Sequence, residues 1–495
     1  MLFPTFQFFF FFVIVFLLYW YVFKDENWRK FLLLFASYLF YASWNIRFCL
    51  LLFTVTIINY LFGLILSKEK EHNVRVVVIW IITFLNILYL FSFKYLYDVL
   101  LFLTYIFPSV FDAGTLLPHI TSSFFLPIGI SYYTFKCMSY NFDIYLCKMR
   151  VGRKNFLDTL LYVSFFPQLL SGPIVNASYF FMELPRALNA DKLGYKVIEL
   201  DKAMLLLMSG LFKKLILSSF LLVLVSDKVF ASPSSYNTVE LVLALLAFTI
   251  SIYADFSGYS DMAIAIALLL GFKTPDNFNR PYLSPSVSEF WRRWHISFST
   301  WLRDYVYFPL GGSRFSIART TFALCFTMII AGLWHGMKIN FLLWGILQGV
   351  ALSIEKIVHE KNKLKRIDFE EEGLLNEKRR PFSYFIFLPI KVLFVFIFIN
   401  ISWLIFRSET PRDVVIFLSS LSNINVPLKI TTPFILSLIC FGLFMQIPTN
   451  NFRKKLFRVY VHIPLIFKTL IFTSFIVAIC LASMSSMPPF IYFAF

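Results

Sequence analysis

Charge is scarce in this sequence. Only 15% of its 495 residues are Asp, Glu, Lys or Arg, and 59% are hydrophobic. Soluble domains carry about 25% charged and about 45–50% apolar residues. That excludes a soluble globular enzyme, and it excludes a disordered chain as well. Acidic residues are scarcer than basic ones, 28 against 45, for a net charge of +17. A basic excess can signal nucleic acid. Here the Lys and Arg gather in short loops between apolar runs, which is the positive-inside pattern of membrane proteins, so no nucleic-acid partner is expected. Cysteine is sparse too: Cys49, Cys137, Cys147, Cys325, Cys440 and Cys480 stand far apart, mostly in apolar stretches. None forms a CxxC pair, so neither a zinc site nor a disulfide framework is read, and no metal is expected. The sequence has no P-loop, no HExxH and no GxSxG. It has no repeat of 20–50 residues and no low-complexity linker, and reads as one polytopic membrane domain over 1–495.

What is present is a series of apolar runs. No charge precedes Lys24, and residues 2–23 are long enough to span about 30 Å of hydrocarbon. They lack a basic n-region and a small-residue cleavage site, so they read as a retained span and not as a signal peptide. Further runs lie at 31–45, 47–67, 76–93, 124–146, 203–225, 238–254, 340–358, 382–406, 432–447 and 462–486. Basic segments at 24–30, 68–75, 148–154, 356–380 and 453–458 are expected in the cytoplasm, which puts both termini outside. Two stretches resist the count. Residues 156–181 have basic segments on both sides and carry Pro167 and Gly172-Pro173. A segment that enters and leaves on one side fits best, because irregular backbone is tolerated only when buried in protein or facing water. Residues 322–335 are apolar, read as too short to span alone, and end at Trp334-His335-Gly336. The expectation is an all-α bundle of about 11–13 membrane segments, some re-entrant.

Two of the six histidines stand out. His295 and His335 are flanked by Trp in dense segments. An ionisable group in an apolar stretch is costly and points to function. Neutral imidazole can take a proton from a hydroxyl near pH 7 and return it to a leaving group. The competing reading of His335 is a core histidine hydrogen-bonded between helices. Gly332 and Gly336 would let backbone or substrate come close. Residues 288–312 pack Glu289, Arg292, Arg293, His295, Arg303 and Asp304 among Trp291, Trp294, Trp301 and Tyr305. Glu289 and Arg293 can pair at i,i+4. An amphipathic helix at the membrane interface is the structural alternative. Asp255 and Asp261 bracket YADFSGYSD (253–261) and need partners, for which Arg280 and Arg292 are candidates; a structural ion pair is favoured over an acid–base role. Lys213-Lys214 reads as a snorkelling pair or as an anchor for an anionic donor, with snorkelling favoured.

These motifs resemble the membrane-bound O-acyltransferase (MBOAT) superfamily, in its bacterial branch of alginate and peptidoglycan O-acetyltransferase membrane components. The matching stretches are PIGISYYTFKCMSYNFDIY (127–145), FFPQLLSGPI (165–174), YADFSGYSDMAI (253–264), NFNRPYLSPSVSEFWRRWHISFSTWLRDYVYFPLGG (277–312) and LWHGMKINFLLWGILQG (333–349). Together they mark 127–349 as the motif-bearing core. The resemblance implies a helix bundle around a funnel or tunnel in a bacterial inner membrane, with both termini periplasmic. It puts the catalytic histidine at His335 and the second functional position at His295. It implies acetyl-CoA as the donor, no bound cofactor, and membrane lipid as surroundings. It also implies a periplasmic or membrane-anchored serine-type O-acetyltransferase that completes transfer to a polysaccharide. Arg292 and Arg293 would bind donor phosphates or hold the segment to anionic lipid, with Asp255 and Asp304 as supports. The closing residues PFIYFAF (489–495) resemble the O-acetyltransferase members, with Ala494 where the family usually has glutamine. Tyr492 there could relay an acyl group, or anchor the interface as an aromatic. The alternatives are a D-alanyl or other acyl transferase, a proton-coupled transporter, and a purely structural partner of the secreted enzyme.

Overall fold

The structure is a computed structural model and describes residues 1–107, 127–149, 155–189, 197–371 and 382–482. Every regular element among them is helical. Eight helices are long and apolar enough to cross a membrane: Ile46–Lys68, His72–Lys94, Glu199–Ala231, Thr238–Leu269, Ile317–His335, Ile339–Asn362, Phe387–Arg407 and Leu465–Ala482. Two shorter apolar helices are Phe6–Val22 and Pro433–Phe444. The expected segments at 31–45 and 124–146 form the shorter, more polar helices Glu26–Ala42 and Ile130–Tyr145. The chain is a polytopic helical membrane protein. Its contacts define two compact units.

The first unit comprises Met1–Leu211, Tyr259–Pro275 and Ile463–Thr473. Three of its helices are tied by buried amides. Asn59 and Asn86 exchange hydrogen bonds at 3.0 and 2.8 Å, and Asn141 Nδ2 donates to Asn59 Oδ1 at 2.7 Å. Such bonds hold helices together where apolar surface gives no preference over lipid. The stretch at 156–181 is broken as its prolines require. Helix Phe156–Ser164 ends, a short turn spans Phe166–Gln168, and helix Ala177–Leu188 begins only after irregular backbone. That backbone is buried in protein, with Tyr162 Oη donating to Val175 O at 3.0 Å and Phe166 N to Ser37 Oγ at 3.2 Å. Not all of the basic segment 24–30 is a solvated loop. Arg29 is fully buried and donates to the carbonyls of Tyr19, Phe23 and Leu188, while Lys30 pairs with Asp158 at 2.7 Å.

The second unit comprises Phe212–Gly258, Asp276–His462 and Ser474–Phe495. Its apolar core gathers residues such as Leu221, Val229, Ala247, Leu404, Phe417 and Leu438. Here the apolar stretch 322–335 belongs to a full 19-residue helix, Ile317–His335. Arg319 sits in its first turn and is no barrier, because its Nε donates to Leu310 O at 3.1 Å and its guanidinium lies 4.0 Å from the Phe315 ring centre. The helix turns tightly at Gly336 into Ile339–Glu371. Gly332, Gly345 and Gly349 line this hairpin. A Cβ on Gly332 would collide with the Phe341 carbonyl, on Gly345 with the Met328 carbonyl, and on Gly349 with Cys325 Cα at 2.7 Å. The two backbones therefore touch, which fixes where His335 emerges.

Candidate active site

The site forms within the second unit. The segment 288–312 is not one interfacial helix. It breaks into Val287–Arg293 and Ile296–Leu302, followed by a π turn over Arg303–Tyr307. Trp291, Trp294, Trp301 and Tyr305 are all buried, so they serve as core and not as an interface belt. The break falls at His295, whose backbone is left-handed at φ 42° and ψ 55°. That conformation is uncommon for a residue other than glycine; it costs about 1–3 kcal/mol and persists only where its surroundings enforce it.

Asn277 is what enforces it. Its backbone carbonyl accepts from Ile296 N at 2.9 Å. Its side-chain oxygen accepts from Ser297 N at 3.2 Å and from Ser297 Oγ at 2.9 Å, and it faces His295 Nδ1 at 3.2 Å. A backbone N–H can only donate, so the atom it meets is the amide oxygen. His295 Nδ1 must then carry the proton, which leaves Nε2 as an acceptor in the neutral ring. Nε2 is buried and has no hydrogen-bond partner among the described residues. A buried polar atom left open in this way is a place for a ligand or water. Burial also pushes the His295 pKa down from 6.5 to about 3. The ring is therefore neutral at physiological pH and can accept a hydrogen bond.

His335 ends its helix and is 6% exposed. Phe406 and Trp344 stand edge-on to its ring, with centroids 4.8 and 5.6 Å away, and Phe341 lies at 5.9 Å. Trp334 connects the two histidines: its ring is 4.7 Å from His335 and 6.3 Å from His295, and stacks on Phe298 at 4.5 Å. Phe256 and Phe298 complete the wall around His295, at 4.5 and 5.0 Å. Behind them run Trp403, Trp294 and Trp291, the last donating from Nε1 to Gln348 at 3.1 Å. Two histidines forty residues apart in sequence thus pack against one aromatic cluster. Such a wall excludes water and sharpens polar interactions inside it.

The other expected residues lie elsewhere. Glu289 does pair with Arg293, at 2.8 Å, and more loosely with the largely exposed Arg292 at 3.4 Å. Asp304 pairs with its neighbour Arg303 at 2.8 Å. Asp255 takes neither Arg280 nor Arg292 as partner. It is fully buried in the helix Thr238–Leu269 and forms an ion pair with Lys214. Arg280 instead donates to Gln446 O at 2.8 Å. Lys214 is therefore not a snorkelling residue, and Lys213 turns toward the ring of Tyr253, 5.8 Å away. A buried carboxylate needs a cation close by, and the π turn Phe212–Ser218 brings one. Asp261 accepts from Ser209 at 2.9 Å. Tyr492 and Ala494 lie outside the described residues.

The family model for "MBOAT, membrane-bound O-acyltransferase family" matches residues 33–367. The chain belongs to the MBOAT family. It is 37% identical over 394 residues to the probable alginate O-acetylase AlgI of Pseudomonas aeruginosa, covering 79% of this chain and 69% of that protein. It is 30% identical over 427 residues to the peptidoglycan O-acetyltransferase of Helicobacter pylori, covering 81% and 75%. The teichoic acid D-alanyltransferase of Streptococcus thermophilus is 31% identical over 261 residues, 50% of this chain and 61% of that one. This MBOAT protein is accordingly a multi-pass membrane O-acyltransferase, and the transport alternative falls away. The motifs single out both histidines but give no role to Asn277, Trp344, Trp403 or Phe406. Asn277 stood in the quoted NFNRPY stretch. Trp403 and Phe406 come from a helix whose sequence signalled only hydropathy.

Proposed function

We propose that this MBOAT protein carries acetyl groups from cytoplasmic acetyl-CoA across the inner membrane for O-acetylation of a cell-envelope polysaccharide. The relatives named for alginate and peptidoglycan acetylation support the acyl group and the class of acceptor. His335 acts as general base. It takes the proton of the acceptor hydroxyl as that oxygen attacks the thioester carbonyl, and the thiolate of coenzyme A leaves and is protonated. His295 Nε2 accepts a hydrogen bond from the acceptor and orients it. The aromatic wall keeps water from hydrolysing the thioester. The acetyl ester formed on that first acceptor is then passed to a polymer hydroxyl by a periplasmic or membrane-anchored serine-type acetyltransferase, which frees the first acceptor's hydroxyl. The observation that carries this reading is the pair of buried histidines joined through Trp334 in a chain of this family.

The test is acetate released from purified peptidoglycan and, separately, from exopolysaccharide. Cells would carry wild type, His335→Ala or His295→Ala at matched membrane levels. Loss of acetate from one polymer, at least about 10²-fold for an essential base, names the acceptor. Unchanged acetate in both polymers overturns the role of His335. D-alanine esters lost in place of acetate would move the protein to D-alanyl transfer, a reading favoured by its similarity to the Streptococcus enzyme.

A further inference from the structure

The helix Asn450–His462, NNFRKKLFRVYVH, lies beyond the matched residues 33–367 and takes no part in the site. It has thirteen residues, a length of about 20 Å at 1.5 Å per residue. That is too short and too charged to cross about 30 Å of hydrocarbon. In sequence it sits between the apolar helices Pro433–Phe444 and Leu465–Ala482, with Pro448 and Pro464 at the breaks. A step of 100° per residue divides it into three faces. Phe457, Tyr460 and Val461 are half-buried and face the protein. Phe452, Leu456 and Val459 recur at i, i+4 and i+7 and are 51–60% exposed. Lys454, Lys455 and Arg458 fill the arc between those two faces and are exposed. The helix has no acidic residue, and these three cations form no ion pair among the described residues.

We propose that this helix lies in the membrane interface and binds anionic lipid headgroups. Its apolar stripe enters the acyl region while Lys454, Lys455 and Arg458 reach phosphates. A basic face alone would fit an acidic protein segment equally well. The exposed apolar stripe alongside it, in a chain that enters apolar helices on both sides, fits the lipid surface. Each Lys or Arg near an anionic surface adds about fivefold to association.

The test uses the full chain with benzoylphenylalanine at Leu456, reconstituted in vesicles of equal phosphatidylglycerol and phosphatidylcholine. After irradiation, mass spectrometry of the adducts reads which headgroup was nearby. A severalfold excess of phosphatidylglycerol is expected. The excess should fall to the bulk ratio in K454Q/K455Q/R458Q and survive in K454R/K455R/R458K. Adducts at the bulk ratio in the unsubstituted chain overturn the proposal. So does an excess that the glutamine variant retains, and so does a protein adduct at the same position in intact cells.

Discussion

The Asn277 side-chain oxygen meets His295 Nδ1, the Ser297 hydroxyl and the Ser297 N–H, so one atom sets the tautomer, the ring orientation and the local backbone. Without it, the left-handed conformation at His295 keeps the backbone bond from Ile296 N to Asn277 O but loses both bonds from Ser297. Nothing would then hold the proton on Nδ1 or keep Nε2 open. Asn277→Ala is expected to lower acyl transfer by about 10²-fold, the scale of misplacing a reacting group by roughly 1 Å. Membrane abundance should stay near wild type. Serine at this position retains an oxygen but is shorter, and should recover only part of the activity. An alanine variant with full activity would separate His295 from the chemistry. Both histidines were legible in the sequence because ionisable side chains rarely sit among tryptophans. Asn277 was not, because an asparagine beside a proline-rich turn reads as turn chemistry.

The helices were legible where their hydropathy was plain and misread where a charge interrupted it. The apolar run 322–335 is too short to span alone, yet a first-turn Arg319 whose guanidinium stacks on Phe315 lets the helix extend to 19 residues. Lys214 looked like a snorkelling residue for the opposite reason: its partner Asp255 is 41 positions away and hidden in another helix. In the sequence, Gly332 and Gly336 flank His335 and look equivalent, both leaving room for backbone or substrate. The structure separates them. A Cβ at Gly332 would meet the backbone of the partner helix, whereas at Gly336 it would meet only the edge of the Phe341 ring at 3.0 Å. The Gly336 backbone is extended at φ 165°, which any residue adopts. Gly332→Ala should therefore wedge the hairpin apart and destabilise the protein by about 1–3 kcal/mol. Gly336→Ala should cost clearly less, since a ring can tilt. Thermal unfolding in detergent, followed side by side, compares them. Equal losses would mean that the close helix approach is not what Gly332 provides.

At the scale of the whole chain, composition was enough to give a polytopic helical membrane protein, because 15% charge leaves few other structures open. It was not enough to show which distant segments close the site. The residues matched by the family model end at 367 and include both histidines, yet the His335 ring is walled by Phe406 and backed by Trp403 from the helix Phe382–Arg407. Apolar periodicity cannot distinguish a phenylalanine that faces lipid from one that faces a histidine, and this chain has 64 phenylalanines. The difference should appear in partitioning as well as in rate. If Phe406 keeps water from the reacting thioester, Phe406→Ala should lower transfer to the acceptor by about tenfold while leaving donor consumption less affected, because water then competes for the acyl group. The measurement is the ratio of free acetate to polymer-bound acetate from labelled acetyl-CoA in membrane vesicles. A substitution at Phe394, 73% exposed on the same helix, controls for the loss of an aromatic ring. A ratio that rises for Phe406→Ala and stays level for Phe394→Ala would assign water exclusion to this helix. An unchanged ratio in both would leave Phe406 as packing alone.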